Sequence, residues 1–149
     1  MTSRFLPDEA ATLAFGAALA DTLESRLVIY LCGELGAGKT TLARGILRGL
    51  GFTGRVKSPS FALVEAYKLS KLYLYHFDFY RFGQPTEFAA SGLAEYFSPD
   101  AVCLVEWPDK AAGLPSADIR IAMAVSGTGR CVEVDAETEA GRRCLDALH

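Results

Sequence analysis

The sequence predicts an α/β fold, a three-layer sandwich with a mixed central sheet and helices on both faces. Three observations carry that expectation. The apolar run "RLVIYLC" (26–32) leads straight into the glycine-rich "GELGAGKTT" (33–41) and then into helical spacing. A strand–loop–helix unit of this kind feeds a parallel sheet. Paired strand-like runs at 61–82 and 117–137, each broken by a short turn, call for antiparallel neighbours as well. Half of the 149 residues are hydrophobic and 11% are aromatic, enough to fill one core. No linker, low-complexity tract or repeat interrupts the chain, so a single domain over residues 1–149 is expected.

Taken in order, residues 7–24 read as a helix, with Pro7, Asp8 and Glu9 in its first turn and Phe15, Leu19 and Leu23 on one face. "RLVIYLC" is too short for a buried helix and rich in β-branched and aromatic residues, so it reads as an interior strand. Residues 39–51 read as a helix, with Leu42, Ile46 and Leu50 spaced by four and Gly51 as its stop. "FALVEAYKL" and "YLYHFDFYRF" form a hairpin through Ser70 and Lys71. Tyr73, Tyr75, Phe77 and Phe79 share one face of its second strand, and Leu74, His76, Asp78 and Tyr80 the other. Residues 84–97 suggest a short helix with Pro85 at its first position. "AVCLVEW" is an apolar strand stopped by Pro108, and residues 117–137 read as strand, glycine turn, strand, with a terminal helix after them.

Composition removes several classes of function. A net charge of −3 and a pI near 5.4 provide no basic field to draw the protein onto nucleic acid. The four cysteines form no CxxC pair, and Cys32 and Cys103 sit in apolar runs, where cysteine behaves as a small hydrophobe. No apolar run approaches ~20 residues and no basic-then-apolar leader is visible, so neither a membrane span nor an export signal is expected. The chain has no asparagine, hence no N-glycosylation acceptor. A reducing cytoplasm fits these features.

The loop carries the chemistry. Gly33, four residues, then Gly38, Lys39 and Thr40 fit the phosphate-loop pattern GxxxxGK[ST]. Gly33, Gly36 and Gly38 let the backbone curl so that successive N–H groups face phosphate oxygens, and the next helix aims its positive end at the same anion. Lys39 is expected to bridge β- and γ-phosphates, and Thr40 to ligate Mg²⁺. The expected fold is therefore P-loop NTPase-like. Guanine-specific relatives read their base with an N-K-x-D motif, which a chain lacking asparagine cannot carry, so ATP is favoured.

Such a site also needs a carboxylate at the end of an interior strand. Glu106, closing "AVCLVE", is the better match, to hold Mg²⁺ or polarise water. Asp78, inside "YHFDFYR", is the second; its bland reading is a salt bridge with Arg81. Trp107 either lines the nucleotide or packs in the core. His76 reads as structural, within reach of Asp78. Ser60 in "VKSPSF" is either part of a plain turn or a switch hydroxyl that reports the γ-phosphate.

"GELGAGKTTLARGIL", "VKSPSFALVEAY", "YHFDFYRF" and "CLVEWP", in this order and spacing, resemble the bacterial TsaE (YjeE) family. The resemblance runs from about Pro7 to about Pro115. It implies a small P-loop ATPase that works with TsaD-like and TsaB-like proteins to install threonylcarbamoyl on the adenosine beside the anticodon of tRNAs reading ANN codons. The tRNA would be met only through that complex. Carried onto this chain, it assigns nucleotide binding to Gly33, Glu34, Leu35, Gly36, Ala37, Gly38, Lys39, Thr40 and Thr41. Mg²⁺ falls to Thr40 and Glu106, and catalysis to Lys39, Glu106 and Asp78 as a second essential acid. Trp107 lies beside the site, Glu9 and Thr12 lie towards the base, and Ser60 is the switch residue. The family usually has threonine at Ser60; serine keeps the hydroxyl but lacks the methyl that stiffens the rotamer. After Leu114 no motif is recognisable.

Two functions compete at this level. An accessory ATPase would hydrolyse ATP slowly to ADP and phosphate, with its rate set by partners. A small-molecule kinase would need an arginine-bearing lid, and no Arg-rich insertion separates the strands.

Overall fold

The computed structural model describes residues 2–148. Its centre is a seven-stranded mixed sheet in the order β1-β7-β6-β2-β5-β4-β3. The strands are β1 (Thr2–Leu6), β2 (Leu27–Cys32), β3 (Val64–Lys68), β4 (Tyr73–Asp78), β5 (Ala101–Glu106), β6 (Ile119–Ser126) and β7 (Gly129–Ala136). The helices are α1 (Glu9–Ala20), α2 (Lys39–Gly49), α3 (Glu87–Ser91) and α4 (Glu139–Ala147). β2 runs parallel to both β5 and β6, and β4 runs parallel to β5. The β3–β4, β6–β7 and β1–β7 pairs are antiparallel.

Burial follows the residue pattern. All six residues of β5, "AVCLVE", are buried, as a continuous apolar run at the middle of a two-sided sheet requires. β6 alternates buried Ile119, Ile121 and Met123 with exposed Arg120, Ala122 and Ala124, which marks a sheet covered on one face only. On the covered face α1, α2 and α4 pack over the sheet; Leu19, Leu42, Ile46 and Leu47 are fully enclosed, with Cys144 of α4 beside them. The opposite face is clothed more thinly. There α3 and a 3₁₀ turn at Leu93–Tyr96 shelter an aromatic cluster of Phe77, Phe79, Phe88 and Phe97 over β4 and β5. Helices thus lie on both faces, but the outer face of β6, β7 and β1 stays open, with Phe5 55% exposed.

Several boundaries differ from the sequence reading. α1 begins at Glu9 because the Asp8 carboxylate accepts from the Ala11 N–H at 2.8 Å, making Asp8 the cap and leaving Pro7 outside. The first hairpin strand starts at Val64, since residues 59–63 form a turn closed by the Leu63 N–H donating to the Pro59 carbonyl at 2.8 Å. The expected helix at 84–97 is two pieces divided at Gly92, and Pro85 precedes the first piece rather than opening it. β1 was not anticipated. It is an edge strand of mixed polarity whose place depends on pairing with β7, a partner far along the chain. Among the described residues no helix is long and apolar enough to cross a membrane.

The α1–α2 crossing is unusually tight. A Cβ on Gly45 would lie 2.6 Å from the Leu13 carbonyl oxygen, and one on Gly16 would lie 2.8 Å from the Leu42 carbonyl oxygen. These two glycines let backbone meet backbone, which sets how closely α1 and α2 approach each other. Gly45→Ala is expected to cost about 1–3 kcal/mol by overpacking. Urea unfolding should show a lower midpoint with an unchanged slope.

Candidate functional site

The site lies at the carboxyl ends of β2, β4 and β5, where an open α/β sheet leaves a crevice between neighbouring loops. β2 ends at Cys32 and the glycine loop carries the chain into α2. Gly38 caps that helix with φ of +103°, a left-handed conformation that favours glycine, and no side chain caps the first turn. The opening N–H groups of an eleven-residue helix are therefore free of side-chain caps and present the positive end of the dipole to the crevice.

Lys39 is the first residue of α2 and is buried, 5% exposed. Its ammonium donates to the Gly33 carbonyl, lies 3.8 Å from Glu106 Oε1 and stands 4.3 Å from the centre of the Trp107 ring. Trp107 turns the chain out of β5 at φ of +57°, a strained conformation for a bulky residue. Glu106 is also buried, and its other oxygen meets His76 Nε2 at 2.6 Å. His76 thus pairs with Glu106, not with Asp78 as its position on the strand face suggested.

Asp78 and Glu106 are register partners on the parallel strands β4 and β5, so two carboxylates emerge side by side. Asp78 Oδ1 accepts from the Tyr80 N–H at 2.9 Å, and Oδ2 faces the Ser60 hydroxyl at 3.5 Å. Ser60 is also 3.0 Å from the Ser58 hydroxyl. No Asp78–Arg81 ion pair occurs among the described residues; the Arg81 guanidinium lies 4.0 Å above the Phe61 ring.

These groups surround a cavity of about 300 Å³ lined by Leu35, Gly36, Gly38, Lys39, Thr40, Thr41, Ser58, Ser60, Asp78, Glu106 and Arg130. A second cavity of about 230 Å³ adjoins it through Gly38, Thr41 and Arg130, and is lined further by Leu6, Asp8, Glu9, Thr12, Thr128 and Gly129. Glu9 and Thr12 therefore line the adjoining cavity and not the one that holds Lys39, Asp78 and Glu106. Four other expected residues line neither cavity. Gly33, Glu34 and Trp107 border a separate hollow with Cys32, Pro108 and Asp109, and Ala37 is buried inside the loop. The donors facing the main cavity are hydroxyl and carboxylate oxygens, the hard ligands that suit Mg²⁺. Among the described residues no group of three or more His, Cys, Asp or Glu could hold a metal ion.

Thr128 and Arg130 were missed, in the stretch after Leu114 where no motif is recognisable. The Arg130 guanidinium donates to Ala37 O at 3.0 Å, Gly36 O at 3.2 Å and Gly129 O at 2.9 Å. A lone arginine after a glycine turn carries no signal of its own; only the sheet order brings β7 beside the loop.

Burial pushes the Asp78 carboxyl above its ordinary range; the Tyr80 N–H opposes this and the nearby Glu106 charge adds to it. The native protein therefore binds this proton more tightly than the unfolded chain does. The associated stability is fully present below the ordinary carboxylate pKa and is lost as pH rises through the higher native value. Asp78→Asn should accordingly melt higher than the parent protein near neutral pH, without ligand. Melting curves across pH should show the gap closing below about pH 4.

The comparisons with known proteins agree on one lineage. The family model described as "Threonylcarbamoyl adenosine biosynthesis protein TsaE" matches residues 6–132. A "tRNA threonylcarbamoyladenosine biosynthesis protein TsaE" of Haemophilus influenzae is 42% identical over 152 residues, covering 98% of this chain and 96% of its own length. The protein of that name from Synechocystis is 42% identical over 116 residues, covering 75% of this chain and 73% of its own length. A crystal structure of Bacillus subtilis YdiB superposes with a TM-score of 0.83 at 30% identity, covering 99% of this chain and 93% of that one. A family model over most of the chain and a full-length relative at 42% identity converge: the chain belongs to the TsaE family.

Proposed function

We propose that this protein binds ATP with Mg²⁺ and hydrolyses it slowly, as the accessory ATPase of tRNA threonylcarbamoyladenosine synthesis. The observation that carries the reading is the convergence of Lys39, Thr40, Ser60, Asp78 and Glu106 on one cavity at an uncapped helix start. Family membership supports the pathway, since the relatives are named for threonylcarbamoyladenosine biosynthesis on tRNA. A net charge of −3 supports a division of labour in which TsaD-like and TsaB-like partners handle the tRNA. The cytoplasm is the compartment where such a complex would act.

The residues divide the chemistry among them. The loop N–H groups and Lys39 hold the phosphates, and the base sits towards Glu9 and Thr12. Mg²⁺ would be held by the Thr40 hydroxyl and Glu106 together with phosphate oxygens, and when bound supplies neutralising charge for the transferring phosphoryl group. Asp78, beside Glu106 and raised above the ordinary carboxylate range by burial, is the proton acceptor for water. Ser60, hydrogen-bonding distance from Asp78, links the residue 56–61 loop to that acid and so to the terminal phosphate. Lys39 must exchange its Gly33 and Glu106 partners for phosphate oxygens on binding, which moves its charge relative to the Trp107 ring.

Lys39→Ala and Thr40→Ala are expected to lower hydrolysis at least about a hundredfold, measured by phosphate release. In a reconstituted system with the partner proteins and tRNA, Lys39→Ala should fail to support threonylcarbamoyladenosine formation; full product yield would refute the proposal. Glu106→Gln should retain binding of a fluorescent ATP analogue while losing turnover. Trp107 emission should change on addition of ATP and Mg²⁺, and a flat titration would separate the ring from the nucleotide.

A further inference from the structure

We propose that Arg130 is a positioning residue for the glycine loop, holding the backbone in its anion-binding shape from a strand remote in sequence. The inference rests on the nucleotide-binding reading above and adds a residue to it. Three hydrogen bonds carry it: Nε to Ala37 O at 3.0 Å, one terminal nitrogen to Gly36 O at 3.2 Å, and the other to Gly129 O at 2.9 Å. The last bond anchors the guanidinium to its own strand, so the fork is fixed before it grips the loop. Its stem runs against the loop, with Cγ 3.8 Å from where a Cβ on Gly38 would stand.

Peptide planarity turns this grip into an orientation. In a trans peptide the C=O and the following N–H point opposite ways. Drawing the Gly36 and Ala37 carbonyls towards Arg130 therefore sends the Ala37 and Gly38 N–H groups away from it. The Ala37 N–H closes the turn on the Glu34 carbonyl at 3.1 Å. The carbonyls are thereby kept from facing a phosphate, which they would repel. Arg130 also lines both adjoining cavities, at the seam between phosphate side and base side, where its charge favours a polyanion. Lysine could supply that charge but not two fixed hydrogen-bond directions.

The test uses the full chain, a fluorescent ATP analogue and amide hydrogen exchange. Arg130→Ala should bind the analogue about ten- to a hundredfold more weakly, the loss of charged hydrogen bonds. Low-millimolar guanidinium should restore much of that affinity. Arg130→Lys, which keeps the stem and the charge against loss of folding, should bind nearly as weakly as the alanine variant. It should also exchange the amides of residues 33–41 faster than the parent protein before nucleotide is added. Arg130→Ala binding within about twofold of the parent, Arg130→Lys matching the parent, or unchanged exchange in the loop each overturns the proposal. A parent protein that binds no nucleotide overturns the underlying reading as well, whereas normal parent binding that is lost in Lys39→Ala isolates Arg130 as the point at issue.

Discussion

Glu106 is a carboxylate at the end of a strand with no exposed residue, and its burial is the constraint on which the site depends. A charge taken out of water costs several kcal/mol unless it is paired and hydrogen-bonded. Its two oxygens meet that demand from different elements, His76 on β4 and Lys39 on α2. The pairing therefore ties the neighbouring strand and the phosphate-loop helix to one carboxylate. It also fixes the register that sets Asp78 beside Glu106. Because His76 occupies one oxygen, only the side towards Lys39 remains for other partners.

The same tension recurs elsewhere in the site. Two acids side by side, a tryptophan in a left-handed conformation and an uncapped helix start are each unfavourable alone. The aromatic cluster beneath β4 and β5 and the closely packed α1–α2 pair supply the rigidity that holds them. The strained groups lie at one end of the sheet, and the well-packed residues lie beneath them.

What could be read from the sequence was whatever is local. The strand–loop–helix unit at 26–51 is announced by an apolar run, three glycines and a spacing of four, all within one short segment. Glu106 stood out as an acid ending an apolar strand, and Asp78 as a carboxylate inside an aromatic run, where an unpaired charge is costly. What escaped depends on pairing across the chain. β1 has no pattern of its own and exists because β7 offers an edge. His76 could be put on the right strand face, but its partner follows from the β4–β5 register. Arg130 and Thr128 reach the site only through the sheet order, and Gly92 divided a segment whose periodicity alone looked continuous.

The two adjoining cavities draw their walls from nearly the whole length of the chain, from Leu6 and Glu9 at one end to Thr128 and Arg130 at the other. A ribosome must deliver β7 before these walls can meet, so a nascent chain has an incomplete pocket until residues 128–130 have emerged. Contacts so distant in sequence are slow to form, and they are the ones a ligand would reward by mass action. The β7 wall, the part of the pocket most remote from the glycine loop in sequence, is thus the part whose persistence a bound ligand would favour most.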